Sequence, residues 1–192
     1  MWREGRGALL ESLREWLPGI ALSLGGGPLG GLREAGLLGP RTLLVHSNYL
    51  TGAEIKEAGE AGCPVVHCPL SHAYFRHRKF SWQALKKAGC PILLGTDSAA
   101  TGGGPDLAGS LRLGLESSDA SPEDLWFAAT RGGAEALGLG DLTGSLRLGF
   151  SADAALIGAP GANARNLAEK MLEGRVQGSV IQGQLSDGVR GR

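Results

Sequence analysis

Apolar positions along this chain fall into short unbroken runs, and segments of helical period separate them. Residues 42–46, 63–67 and 91–95 are continuous, largely apolar stretches bounded by turn residues, which predicts parallel strands covered on both faces. Thr51 and Glu54 stand at capping-box spacing and open a helix to about Ala61, with Gly62 as its stop. The third residue run is preceded by another helix, capped by Ser81, containing Trp82, Leu85 and Lys86 and ending at Gly89. Cys68, Pro69, Leu70, Ser71 and His72 read as the start of a longer loop. The order strand, helix, strand, helix, strand predicts an α/β fold.

Flanking segments carry weaker patterns. Leu9, Leu10, Leu13, Trp16 and Leu17 recur at helical spacing until Pro18 and Gly19 end the helix. A glycine-rich stretch over 25–31 follows, with a short helix over 29–36. After a loop over 98–105, helices are predicted over 106–116, from Ser121 to Thr130, and over 133–137. Ser121, Pro122, Glu123 and Asp124 form a strong start signal, with a cap, a first-turn proline and acids that complement the helix dipole. The tail reads as short strands over 144–157 and 175–182 with a helix over 163–172 between them, a separate small sheet. The chain therefore divides into residues 1–140 and residues 141–192.

Length bears on architecture. A complete eight-fold (β/α) barrel needs about 250 residues, and this chain has 192. Nineteen basic and nineteen acidic residues cancel, which removes the electrostatic case for nucleic acid or an anionic membrane and leaves a small molecule as the expected partner. Cys63, Cys68 and Cys90 form no CxxC pair and are expected to pack as small apolar groups. With no uninterrupted apolar core near the N-terminus and no stretch of spanning length, a cytoplasmic protein with no membrane segment is expected.

The chemistry gathers at the ends of the three strand runs. His46, His67 and Asp97 each close or directly follow one of them, and in a (β/α) barrel the C-terminal strand ends are where metal ligands and catalytic bases stand. The ordered series Leu44-Val45-His46-Ser47-Asn48, Val66-His67-Cys68-Pro69-Leu70-Ser71-His72 and Gly95-Thr96-Asp97-Ser98 resembles strands six, seven and eight of the amidohydrolase superfamily, in its chlorohydrolase and aminohydrolase branch. Gly144-Ser145-Leu146 and Gly149-Phe150-Ser151-Ala152-Asp153 resemble that family's return into a β-sandwich.

The resemblance implies a partial TIM-type barrel with a partial C-terminal β-sandwich, and a metal-dependent hydrolase of non-peptide carbon–nitrogen bonds. Deamination of a heterocycle by a metal-activated water is the reaction it favours over dechlorination. His46 and Asp97 take the catalytic and metal-ligand roles, with zinc expected and iron the alternative. His67, Ser71, His72 and Ser98 take substrate contacts. Family elements earlier in the barrel have no counterpart, since no histidine precedes His46. The expectation is therefore the C-terminal part of an enzyme, inactive alone, or a non-catalytic half-barrel that needs a homo-oligomer or a partner chain to complete it.

Each residue also has a plainer reading. The plainer alternatives are Asp97 as a helix N-cap, His46 as a core histidine bonded to a carbonyl, His67 as a structural hydrogen-bonding group and His72 as a loop residue. The run Arg76-His77-Arg78-Lys79 reads as a solvated face and Gly102-Gly103-Gly104 as a turn without phosphate-binding context.

Overall fold

The computed structural model describes residues 11, 12, 16 and 27–187. The helix expected over 9–17 therefore lies, for the most part, outside the described residues. Helix α1 (Gly27–Glu34) leads to strand β1 (Leu44–Val45), helix α2 (Gly52–Glu60) and strand β2 (Val65–His67). Two short helices, α3 (Pro69–Tyr74) and α4 (Trp82–Lys87), precede strand β3 (Ile92–Leu94). The three strands form one parallel sheet in the order β1-β2-β3, with Val45 opposite Val66 and His67 opposite Leu94.

Caps set the limits of these elements. Thr51 and Glu54 make the reciprocal capping box at the start of α2, and Gly62, at φ +66°, takes the left-handed position just beyond its end. Buried Val65, Ile92 and Leu44 pack with Cys63, Phe80, Trp82, Leu85 and Cys90 into one core between sheet and helices. The ladder runs one residue past the strands: His46 N–H donates to Val66 O at 2.8 Å and Gly95 N–H to His67 O at 2.9 Å. The strand ends that carry the candidate chemistry are thereby fixed to β2.

Helices α5 (Ala99–Gly102), α6 (Leu107–Ser117), α7 (Pro122–Ala129) and α8 (Arg131–Ala136) follow. Ser121 and Asp124 form the second capping box, with Pro122 in the first turn of α7. Strand β4 (Ala154–Gly158), helix α9 (Leu167–Glu173) and strands β5 (Arg175–Ile181) and β6 (Gln184–Asp187) complete the described chain. These strands form a second, antiparallel sheet in the order β4-β5-β6. Its hairpin turns at Gln182 and Gly183, both with positive φ, as a two-residue type I′ connection requires. Helix α9 ties this sheet to the rest: Leu172 joins the core, and Trp126 Nε1–H donates to Ala168 O at 2.9 Å.

Three expectations change. The loop expected after Cys68 opens with α3, whose six residues are too few to show a period. Part of the loop over 98–105 is the single turn α5, and the strand expected over 144–157 is confined to β4. Gly144 and Gly149 hold positive φ, and such torsions break a continuous strand. No described helix is long and apolar enough to cross a membrane.

Candidate metal centre

His46 and Asp97 follow the ends of β1 and β3 and flank β2 from either side. Both adopt left-handed backbone torsions, φ +67° and +60°, as does Ser47 at +49°. Such torsions are uncommon outside glycine, although Asp and His tolerate them better than most residues. The outcome is convergence: His46 Nε2 stands 3.6 Å from Asp97 Oδ2. That separation is too long for a good hydrogen bond. Two donors of one tetrahedral zinc, at bond lengths of about 2.0–2.2 Å, would be about 3.3–3.6 Å apart.

Cys68 joins them. Its Sγ, a nitrogen of His46 and a carboxylate oxygen of Asp97 all lie within 4.8 Å of one another. A histidine nitrogen, a thiol and a carboxylate are each competent zinc ligands, so the donor set suits a divalent transition metal.

The surroundings of Asp97 favour its charged form. The Ser71 hydroxyl, reaching up from α3, does most to hold the carboxyl below its ordinary range; the Ser98 N–H, 2.8 Å from Oδ1, adds to this, and His46 contributes less. Ser98 also begins α5 and pairs its hydroxyl with Thr101 at 3.3 Å. Oδ1 is thus occupied by the backbone, while Oδ2 faces His46.

His67 and His72 occupy a different layer. His67 is fully buried, stacks on Phe80 at 4.2 Å between centroids, and meets Ser117 Oγ through Nε2 at 3.0 Å. The Ser117 hydroxyl donates to Leu113 O at 2.7 Å, so His67 Nε2 carries the proton and donates to Ser117. Burial first, then the neighbouring His72 and His46, push the His67 pKa down to about 3. His72 is buried, with Nδ1 3.2 Å from Asn48 Oδ1, and burial followed by His77 lowers its pKa. His67 presents no surface to a ligand. Of the four residues expected to contact substrate, only Ser71 lines the cavity beside His46.

That cavity, of about 230 Å³, is lined by His46, Asn48, Tyr49, Ser71, Phe75 and His77. Tyr49 Oη and His77 Nδ1 are 2.8 Å apart across its mouth. A larger space of about 590 Å³ lies between α7, α8 and the start of β4, but it is mostly apolar and does not touch the donor cluster. Asn48, Tyr49, Cys68 and His77 were absent from the expected site. Cys68 had one legible signal: strand side chains alternate between faces, so the neighbour of a buried His67 must face the other way.

A model described as the amidohydrolase family matches residues 22–186. The chain is 35% identical over 141 residues to a 5-methylthioadenosine/S-adenosylhomocysteine deaminase of Halobacterium salinarum, covering 69% of this chain and 32% of that protein. An adenosine deaminase from Xanthomonas campestris, solved with bound zinc, aligns with a TM-score of 0.73 at 29% identity over 83% of this chain and 40% of its own. Atrazine chlorohydrolase from Arthrobacter aurescens, complexed with zinc, gives a TM-score of 0.73 at 25% identity over 91% and 41%. The chain spans about a third of the length of the curated relatives it matches. The family model covers most of the sequence and includes all three strand ends, and on that ground this chain belongs to the amidohydrolase family.

Proposed function

We propose that this chain forms part of a metal-dependent hydrolase of non-peptide carbon–nitrogen bonds, one that deaminates a heterocycle, with His46 and Asp97 as metal ligands and catalytic residues. The observation that carries the reading is the 3.6 Å approach of His46 Nε2 to Asp97 Oδ2 from two different strand ends. The names of the relatives, deaminases above all, point to the same bond type. In this reading β1, β2 and β3 correspond to strands six, seven and eight of the barrel, and residues 141–192 to part of the sandwich.

A bound divalent ion would lower the pKa of water from about 15.7 to about 7. The protein's own part begins with Asp97. Its carboxylate is ionised at neutral pH and held by the Ser71 hydroxyl and, at Oδ1, by the Ser98 N–H, and in this role it accepts a proton from the attacking water and returns it to the leaving nitrogen. Ser71 holds the carboxylate and borders the cavity, so it links proton transfer to substrate position. His46 faces both the cavity and Asp97 and orients the ring to be attacked. Pockets for drug-sized ligands run to about 300–1,000 Å³; a cavity of about 230 Å³ takes a small ring or one end of a larger molecule.

A catalytic zinc takes three protein ligands and an open position, and His46 with Asp97 supplies two. A second reading, a half-barrel completed by another chain, is favoured by one feature: β1 pairs only with β2 among the described residues, and its Val45 is 52% exposed.

Zinc content of the purified chain after dialysis, with and without His46→Ala and Asp97→Asn, tests the metal reading. About one zinc per chain, lost in both variants, is expected. Failure of the wild-type chain to take up zinc, or uptake indifferent to both substitutions, would overturn it. Ammonia release from 5′-methylthioadenosine tests the reaction class in the complete protein.

A further inference from the structure

We infer that the Cys68 thiolate is a third protein donor to the metal held by His46 and Asp97, making a His–Cys–Asp site for thiophilic divalent ions of the zinc class. The inference rests on the metal reading above and names a ligand that reading does not contain.

Four observations separate Cys68 from an ordinary buried cysteine. Cys63 and Cys90 both belong to the apolar core, whereas Cys68, equally buried, does not. Its Sγ instead lies within 4.8 Å of the donor atoms of His46 and Asp97. The backbone N–H of Asp97 is directed at the sulfur, the kind of outer-shell donor that steadies a metal-bound ligand, while burial first and then the Asp97 carboxylate push the pKa of the metal-free thiol up to about 11. Space has also been left for it. A Cβ on Gly95 would come within 3.1 Å of Sγ and 3.0 Å of Val66 Cγ1, so a side chain there would crowd the sulfur.

Strand alternation gives the same answer from the backbone. His67 turns to the helix layer, where Phe80 and Ser117 receive it, and Cys68 turns to the opposite face. His46 and Asp97 are the more exposed members of the set, so the shell closes by movement of their side chains onto a sulfur fixed by burial. Coordination breaks the S–H bond: the sulfur electron pair goes to the metal and the proton leaves to solvent. A soft thiolate ligand selects zinc, cobalt or cadmium over magnesium or calcium.

Cobalt(II) titration of the full purified chain tests this, with the metal alone as probe. A near-ultraviolet sulfur-to-cobalt charge-transfer band is expected, saturating at about one equivalent, lost in Cys68→Ser and kept in Cys63→Ser and Cys90→Ser. Cobalt bound with visible bands but no charge-transfer band, or a band unchanged in Cys68→Ser, would overturn the inference and leave His46 and Asp97 as ligands. No uptake of cobalt at all would remove both readings. Cadmium NMR of the wild-type chain needs no variant: a resonance shifted downfield by one sulfur supports the assignment, and one typical of oxygen and nitrogen ligands alone overturns it.

Discussion

His46, Ser47 and Asp97 account for three of the five described non-glycine residues with positive φ; His46 and Asp97 belong to the donor cluster and Ser47 follows His46 in the chain. Torsions of this kind cost about 1–2 kcal/mol for an ordinary L-residue and collect where a site must be aimed. The backbone demand at Asp97 can be separated from its chemistry. Asn tolerates the left-handed region, so Asp97→Asn should melt close to the wild type while losing metal; Asp97→Val should lose about 1–2 kcal/mol of stability as well. Thermal melts beside metal analysis check both halves, and equal melts for the two variants would remove the conformational argument. His67 makes the complementary case, a titratable group used for structure. Ser117→Ala leaves its Nε2–H buried without an acceptor, at an expected cost of about 1–3 kcal/mol in urea unfolding. The sequence left His67 open between a substrate contact, implied by the resemblance, and a structural hydrogen-bonding group; its partners Phe80 and Ser117 lie too far along the chain for local pattern to reveal them.

At the scale of elements, the caps were legible and the shortest helices were not. Thr51 with Glu54 forms the capping box its spacing predicts, and Ser121, read as a cap followed by proline and acids, forms a second box with Asp124, whose side chain also returns to the cap N–H. Helix α3, which carries Ser71 and His72, has six residues and no side-chain cap, so its one mark in the sequence is Pro69 at the first position. Asp124 does more than cap. Burial works to raise its pKa, but hydrogen bonds from Lys86, from the Ser121 N–H and from Gln83 outweigh it and bring the pKa below the ordinary carboxylate value. A depressed carboxyl contributes stability that is fully present above the unfolded pKa of about 3.9 and is lost as pH falls through the folded value. Asp124→Asn should therefore cost about 1 kcal/mol at neutral pH, since the partner Lys86 is largely exposed. The gap to the wild type should close as pH drops below about 4. A gap that stays constant in urea titrations from pH 7 to pH 3 would exclude the charge as its source.

At the scale of the whole molecule, among the described residues the sheet β1-β2-β3 has an edge at β1, beside exposed Leu43 and Val45, and the second sheet exposes Val176, Ile181 and Leu185. Unpaired edges and apolar faces invite association. Light scattering should show mass rising with concentration, and Val45→Lys, a charge on the open edge, should reduce it; a wild-type chain monomeric at every concentration would remove the half-barrel reading. The sequence by itself determined the α/β order, the helix caps at Thr51 and Ser121 and the placing of His46 and Asp97 at strand ends, because strand runs and caps are written in neighbouring residues. Only the tertiary structure decided which of the adjacent His67 and Cys68 faces the cluster, and that Ser71 reaches Asp97 while His72 turns to Asn48. Those outcomes depend on how separate strands and helices pack on β2, and on side chains that alternate faces, so a shift of one residue would have exchanged them.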